Sequence, residues 1–190
     1  MESAYIVRKD YEQINFSETP LPKGDYEQCT FTNCNFANTD LSHISFVDCT
    51  FSACNLSMAQ LNNTAFKEVS FRDCKLLGLH FGHCNIFLFK VGFDSCLINL
   101  ASFYNLKLKK TMFRNSSLQE VDFSNTDLTQ SVFDRCDLAY AIFDNAVLES
   151  ADFRTSFNYS IDPERNRMKK AKFSLAGVAG LLNKYNIEIE

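Results

Sequence analysis

The stretch FDRCDLAYAIFDNAVLESADF, residues 133–153, carries a large apolar residue at every fifth position: Phe133, Leu138, Phe143, Leu148 and Phe153. Five steps around an α-helix drift about 140° off the starting face, and five steps along a strand end on the opposite face. Neither element buries such a row on one side. A chain that turns a corner every few residues does so, because each fifth side chain then points at a common axis, as in a solenoid.

The row runs through nearly the whole chain. Stepping by five from Ile6 gives Tyr11, Phe16, Leu21, Tyr26, Phe31, Phe36, Leu41, Phe46, Phe51, Leu56, Leu61, Phe66, Phe71, Leu76, Phe81 and Ile86, without a polar exception. The frame slips by two residues inside IFLFKVGF, resumes at Phe93 and continues to Phe153; after the break NYSIDPERNR it returns at Met168 and Phe173. A second row lies two residues before the first and is mostly small, as in Cys29, Cys34, Thr39, Cys49, Cys54, Ala59, Thr64, Cys136, Ala141, Ala146 and Ala151. A second inward side chain at each corner has to be small, because Phe or Leu already fills the axis at close-packed density. From Phe103 to Phe153 the central residues alternate strictly between Phe and Leu. An even number of sides stacks like on like, so that Phe103, Phe123 and Phe143 form one column and Leu108, Leu128 and Leu148 another; three sides would mix them.

The chain has 190 residues, a formal net charge of −4 and 46% apolar residues, the composition of a soluble, mildly acidic protein. No apolar run approaches the roughly 18 residues of a membrane span, and MESAYIVRKDYEQ has no signal-peptide core, so a cytoplasmic location and no membrane contact are expected. With 19 Phe but only 6 Gly, its many turns must be made from ordinary residues.

Eight cysteines invite a metal or disulfide reading, yet Cys29, Cys34, Cys49, Cys54, Cys74, Cys84, Cys96 and Cys136 all occupy the small inward position. The CxxC spacing of zinc sites is absent, and a cytoplasmic chain keeps its thiols reduced. They read as core. In HFGHC, His80 and His83 point outward at different places while Cys84 points in, which argues against a shared metal. No nucleophile context, no Gly-rich phosphate loop and a filled axis leave no place for catalysis, so no enzyme, cofactor or metal is expected. The basic stretch KLKKTMFR and the bases from Arg165 to Lys172 have no interleaved aromatic platforms, and the net charge is negative, which disfavours direct nucleic-acid binding.

Between Glu120 and Asp152 the acids are Glu120, Asp122, Asp127, Asp134, Asp137, Asp144, Glu149 and Asp152, against Arg135 alone. They read either as a solvated rod surface or as an acidic face for a partner, with Asp122, Asp127, Asp137, Asp144, Glu149 and Asp152 as its candidate residues. Asp94, Arg114, Asp134 and Arg154 recur in one column and predict an alternating charge ladder. At the carboxyl end, Leu175, Val178, Leu181, Leu182 and Tyr185 follow Ser174 at helical spacing and predict a short helix over about 175–185. The expected organisation is a solenoid over 1–173, with the slip at 87–92 and the break at 158–167, followed by a helix and tail over 174–190. That tail serves either as an end cap or as a two-fold dimer contact through Phe173, Leu175, Val178, Leu181, Leu182 and Tyr185. Gly177 and Gly180 would admit a partner backbone, and the final IEIE would pair as an edge strand.

The units AIFDN, AVLES, ADFRT, TDLTQ and CDLAY resemble the A(D/N)LXX repeat of pentapeptide-repeat proteins. The resemblance implies an all-β fold, a right-handed quadrilateral β-helix with one repeat to a side. At a strand spacing of about 4.8 Å, the roughly six coils from Tyr26 to Phe153 make a rod on the order of 30 Å long. The acidic start DYEQINFSETPLPKGDYEQCTFTNCNF and the apolar ending are similar to the quinolone-resistance (Qnr) branch of that family. This likeness implies a homodimer joined at its C-terminal ends whose shape and charge mimic duplex DNA. It also implies binding to a type II topoisomerase, DNA gyrase or topoisomerase IV, with protection from fluoroquinolones. Several Qnr members carry sizeable projecting loops, whereas the mid-chain interruption here is two residues near Phe87–Gly92, where Phe87, Phe89 and Lys90 are candidates for an exposed contact. The alternative is a protein-interaction scaffold of the same fold with no topoisomerase role.

Overall fold

A computed structural model describes residues 4–188. Its strands are short: β1 (Ala4–Val7), β2 (Asp10–Glu12), β3 (Gly24–Glu27), β4 (Thr30–Thr32), β5 (Ser45–Val47), β6 (Thr50–Ser52), β7 (Ala65–Lys67), β8 (Val69–Arg72), β9 (Val91–Asp94), β10 (Met112–Arg114) and β11 (Val132–Asp134). They form two parallel sheets, β1-β3-β5-β7 and β2-β4-β6-β8-β9-β10-β11. Partners in register lie one coil apart, as in Phe31↔Phe51 and Phe113↔Phe133. Two further ladders of single bridges, Asn15–Asn35–Asn55–Lys75–Leu97–Ser117–Asp137–Phe157 and His80–Ser102–Asp122–Ile142, complete four sides. The repeat of five is therefore one side of a four-sided coil.

Corners are made two residues after each central position. Among the described residues, twenty-eight non-glycine residues, nearly all at these corners, have φ between 48° and 63°, including Ala53, Met58, Leu100 and Tyr140. The left-handed region costs an L-residue roughly 1–2 kcal/mol. What holds it is inter-coil pairing: the corner N–H groups of Arg8, Asp48 and Asn105 donate to the carbonyls of Glu27, Lys67 and Ser124 at 2.9, 2.9 and 3.1 Å. The turn is fixed on its other flank by an Asn or Asp just before the central residue, whose side chain accepts the N–H two residues on. Ala37 donates to Asn35 at 3.1 Å, Ser124 to Asp122 at 2.9 Å and Ala139 to Asp137 at 3.2 Å. The motif's preference for Asn and Asp thus has a local structural cause.

Inside, like stacks on like. Tyr11, Phe31, Phe51, Phe71, Phe93, Phe113, Phe133, Phe153 and Phe173 form one unbroken column with ring centroids 4.6–5.5 Å apart. At those spacings the column is about 40 Å long, consistent with coils at the usual strand separation. Phe81, Phe103, Phe123 and Phe143 stack in the opposite column at 4.7–5.3 Å. The two columns meet edge to face, for example Phe103–Phe113 at 5.9 Å and 82°, the arrangement that ring quadrupoles favour. The small inward residues carry a second function beyond volume. Thr64, Thr126 and Ser131 donate their hydroxyls to the carbonyls of Leu41, Phe103 and Leu108 at 2.8, 2.8 and 2.7 Å, and the thiols of Cys54 and Cys74 do the same to Phe31 and Phe51 at 3.3 and 3.4 Å. At each of these corners a buried donor is thereby satisfied by the coil before it.

Three expectations are corrected. At the frame slip Ile86 is not inward: it is 72% exposed, and Phe89 takes its place against Phe66 and Phe81, each at 6.4 Å. The two inserted residues lengthen the corner, and the pairing of Lys90 N–H with the Phe66 carbonyl at 2.9 Å carries Phe89 inward. The expected ladder of Asp94, Arg114, Asp134 and Arg154 holds over its first three members, Arg114 lying 3.8 Å from Asp94 and 3.6 Å from Asp134. Arg154 instead turns sideways onto Asp152 at 2.7 Å.

The third correction is the capping helix over 175–185, which is absent: the segment makes only 3-10 turns, Val178–Leu181 and Asn183–Tyr185. Ser174 does cap, its hydroxyl oxygen accepting Gly177 N–H at 3.0 Å. Two glycines weaken a helix this short, by about 1 kcal/mol each, and the backbone is held down on Tyr159. A Cβ on Gly180 would stand 2.3 Å from the Tyr159 carbonyl oxygen, and Ile161 N–H donates to the Gly180 carbonyl at 3.0 Å. The glycines' close approach is therefore to the chain's own Tyr159. Tyr159 and Ile161, within the sequence break, are buried and close this end of the core. Ile187 and Glu188 form no strand, and the last two residues of IEIE lie outside the described residues.

Candidate partner-binding surface

Each candidate acid sits immediately before or after a central residue, so its side of the rod follows from its ladder. Asp122 belongs to the His80–Ser102–Asp122–Ile142 ladder, Asp127 to Lys107–Asp127–Val147–Arg167, Asp137 to Ser117–Asp137–Phe157, and Asp152 to Val132–Asp152–Lys172. These are four different sides. Asp144 follows Phe143 on the side of Asp122, and Glu149 follows Leu148 on the side of Asp127. The six carboxylates thus ring the rod and share no single face.

Most of them have partners. Asp127 meets Lys109 at 3.2 Å, Asp144 meets Arg165 at 2.8 Å, Glu149 meets Arg167 at 2.7 Å and Asp152 meets Arg154 at 2.7 Å. Asp137 accepts hydrogen bonds from Gln119 at 2.7 Å and Asn158 at 2.9 Å. Asp122 accepts from Ser102 at 3.4 Å. The Arg154 bidentate contact, with the Arg154 N–H, holds the Asp152 carboxyl below its ordinary range. For Asp127 and Asp137 partial burial pushes upward, but hydrogen bonds from Thr129 and Lys109, and from Gln119 and Asn158, outweigh it and their pKa values fall. All three are ionised well below neutrality. Such exposed pairs contribute little to stability, about 0–1 kcal/mol each.

The eight cysteines are free and buried, with exposures of 0–6%. Burial pushes the thiols of Cys49 and Cys136 up to about 12, leaving these two without thiolate at neutral pH. His80 and His83 stack at 5.4 Å on the surface, closer together than the sequence suggested, while Cys84 is buried apart from them. Among the described residues no three His, Cys, Asp or Glu side chains are grouped to hold a metal ion, and no helix is long and apolar enough to cross a membrane.

At the carboxyl end, Phe173 and Leu181 pack partly against the core. Leu175 is 93% exposed, and Val178 and Tyr185 are also exposed; Leu182 is half-buried. Tyr185 donates its hydroxyl to Glu164 at 3.0 Å, and Lys184 bridges Asp162 and Glu164 at 2.7 Å to each, tying the tail to the last coil. An open groove of about 730 Å³ runs beside this tail, with Tyr140, Phe157 and Tyr159 on its walls. At the frame slip, Phe87 is exposed, Phe89 is partly buried, and Lys90 is exposed and paired with Glu68 at 2.7 Å.

Solved structures similar to this chain include a trypsin-treated form of QnrB1, a plasmid-mediated fluoroquinolone resistance protein, at 18% identity and a TM-score of 0.49, covering 97% of this chain and 99% of that one. Full-length QnrB1 matches at 18% identity and a TM-score of 0.36, over 95% and 99% of the two chains. The pentapeptide-repeat protein Rfr23 from the cyanobacterium Cyanothece 51142 matches at 16% identity and a TM-score of 0.27, over 74% and 85%. No curated protein sequence matches. A family model described as a pentapeptide repeat region matches residues 24–87, and a second, of pentapeptide repeats in eight copies, matches 116–154. Together the two models span more than half of the chain and lie on either side of the frame slip, on coils that share the same four ladders: the chain belongs to the pentapeptide-repeat family.

Proposed function

We propose that this pentapeptide-repeat rod is a non-catalytic binding protein that docks its outer surface on a type II topoisomerase, DNA gyrase or topoisomerase IV, in the place duplex DNA would take. The observation that supports this reading is the placement of Asp122, Asp127, Asp137 and Asp152 on four separate ladders. More than one side of the rod then offers negative groups to a basic saddle, as phosphates do around a duplex, with the lysine-rich side of Asp127 turned away from it. The partner class comes from the sequence resemblance to the Qnr branch. A second copy would join through the exposed Leu175, Val178 and Tyr185 at the carboxyl end, with Phe173, Leu181 and Leu182 beneath them, and so lengthen the rod.

The test is gyrase supercoiling with ciprofloxacin while the purified chain is titrated, beside a titration without drug. Recovery of supercoiling at low protein and inhibition at high protein are the expected results; two flat curves reject the topoisomerase reading. A scaffold for another protein is the second reading, favoured by the ion pairs that Lys109, Arg154, Arg165 and Arg167 make with four of the six carboxylates. Neutralising Asp122, Asp137 and Asp144 together separates the two. Topoisomerase binding driven by charge falls steeply with that change and with added salt, and a scaffold's partner binding does not.

A further inference from the structure

The frame slip gives one side of the rod an apolar projection. Ile86, Phe87 and Leu88 stand out on consecutive positions at 72%, 66% and 65% exposure, while Phe89 turns in. The projection lies between two neighbouring coils. Ala65 pairs with Asn85 on one side, and the registers His80↔Ser102 and Phe93↔Phe113 place residues 106–110 on the other.

The surroundings are basic. Lys67 stands over the Phe87 ring with its ammonium 5.5 Å from the centroid, and Lys107 and Lys110 are exposed on the next coil. The same side continues through the Lys107–Asp127–Val147–Arg167 ladder to Lys169 and Lys170. From the coil of Lys67 onward its acids, Glu68, Asp127 and Glu149, are taken by Lys90, Lys109 and Arg167, while Asp25, Glu27 and Asp48 lie on the coils before it. The five lysines Lys67, Lys107, Lys110, Lys169 and Lys170 form no ion pair among the described residues. In a chain of net charge −4, this side is therefore positively charged from Lys67 onward, and the apolar projection rises from that stretch.

We propose that this side docks reversibly on an anionic phospholipid bilayer, the lysines on the headgroups and Ile86, Phe87 and Leu88 at the acyl boundary. Two features choose this occupant. The charges are almost all lysine, a compact point charge without the fork that reads one phosphate or carboxylate at a time, so a diffuse sheet of negative charge fits them better than a shaped acidic partner. Three adjacent apolar side chains, two of them aliphatic, need an apolar phase; a nucleic-acid backbone has none to give, and base stacking would use Phe87 alone. Charge attraction with shallow apolar insertion describes a protein that lies on a membrane without crossing it.

The test is co-sedimentation of the full chain with phosphatidylcholine vesicles, with and without phosphatidylserine. Binding is expected only with phosphatidylserine and to decline with added salt. Two variants, Phe87→Ser with Leu88→Ser and Lys107→Gln with Lys110→Gln, should each lower the partition coefficient about tenfold or more. All four side chains are exposed, so both variants should keep the parent's thermal midpoint, which is measured alongside. The proposal is overturned by no binding to either vesicle, by equal binding to both, or by anionic-vesicle binding that survives both variants. It is also overturned if duplex DNA is retained at the same salt, lost in the lysine variant and unchanged in the Phe87 and Leu88 variant, which would assign the side to nucleic acid.

Discussion

The aromatic column makes a quantitative demand on stability along the rod. Phe113 is fully buried, with Phe93 stacked on it at 5.2 Å and Phe133 at 4.8 Å, and with the edges of Phe103 and Phe123 both at 5.9 Å. Phe→Ala in a core costs about 3–5 kcal/mol, and Phe113→Ala belongs near the top of that range, because the rings above and below are fixed by their own coils and cannot close the cavity. Phe173, by contrast, is partly exposed, stacks on Phe153 alone at 5.3 Å, and has only Tyr159 beside it at 5.6 Å. Losing half of the contacts should halve the cost, to roughly 2 kcal/mol for Phe173→Ala. With a urea m-value of about 2 kcal/mol/M for a chain of this size, the midpoints should fall by about 2 M and 1 M. The assay is urea unfolding followed by circular dichroism, with the m-value compared between variants. A fall below about 0.5 M for Phe113→Ala, or equal falls for the two variants, would refute the continuous filled column.

Leu100 sits at φ 62° and 59% exposed, so Leu100→Asn should relieve left-handed strain at little packing cost and raise stability by about 0.5–1 kcal/mol; a lower melting temperature would count against that account of the corners. The thiols should stay unmodified by a thiol-specific chromogenic reagent in the native protein and all eight should react after denaturation, whereas fast native labelling of any one would mean that its coil opens. Acid should destabilise the fold in a defined window. The hydroxyl and N–H of Ser42, with Lys23, hold Asp40 down at about 2, and Asp127, Asp137 and Asp152 are also lowered. Folded-state values below the unfolded value mean that the unfolded chain binds more protons, so this stability is present above about pH 4 and is lost as pH falls toward 2. The melting temperature should be flat from pH 7 to about 5 and fall below 4; a rise on acidification would contradict the assignment.

The fold was legible because five-residue spacing is incompatible with helix or strand, and because the Phe and Leu alternation carries the number of sides. What stayed hidden is local. The small inward row was readable as volume, but not as a set of donors, since Ser, Thr and Cys share the position with Ala and Val, which donate nothing. Asn at the corners, as in Asn33, Asn38, Asn105, Asn115, Asn125 and Asn145, was an available sign of left-handed backbone. At the slip, Ile86 and Phe89 are both apolar, and only the pairing of Lys90 with Phe66 decides between them. At the carboxyl end, helical spacing of apolar residues coincided with a cap at Ser174, yet Gly177 and Gly180 were there to fit Tyr159. That contact lies across the chain break and leaves no periodic trace.

The surface was harder to read for a geometric reason. On a four-sided coil, any run of sixteen or more residues visits every side, so the acids from Glu120 to Asp152, a cluster along the chain, are dispersed in space. The bases that do gather on one side, Lys67, Lys107, Lys110, Lys169 and Lys170, are scattered along the chain and come together only when residues are aligned coil by coil, with the two-residue slip allowed for. The slip sets what projects beside those bases: Phe71 pairs with Phe93 and Lys75 with Leu97, 22 residues apart where other coils pair 20 apart, so the two inserted residues are absorbed within the bulge and the later coils keep their register. Deleting Phe87 and Leu88 together therefore removes the apolar projection and leaves the lysines of the neighbouring coils where they are. It should restore an unbroken repeat with Ile86 at the central position between Phe81 and Phe93, keep the fold, and leave every later coil in the register it has now. If such a deletion variant unfolds, the bulge is required by the core; if it folds and loses only its interactions, the bulge exists for the surface.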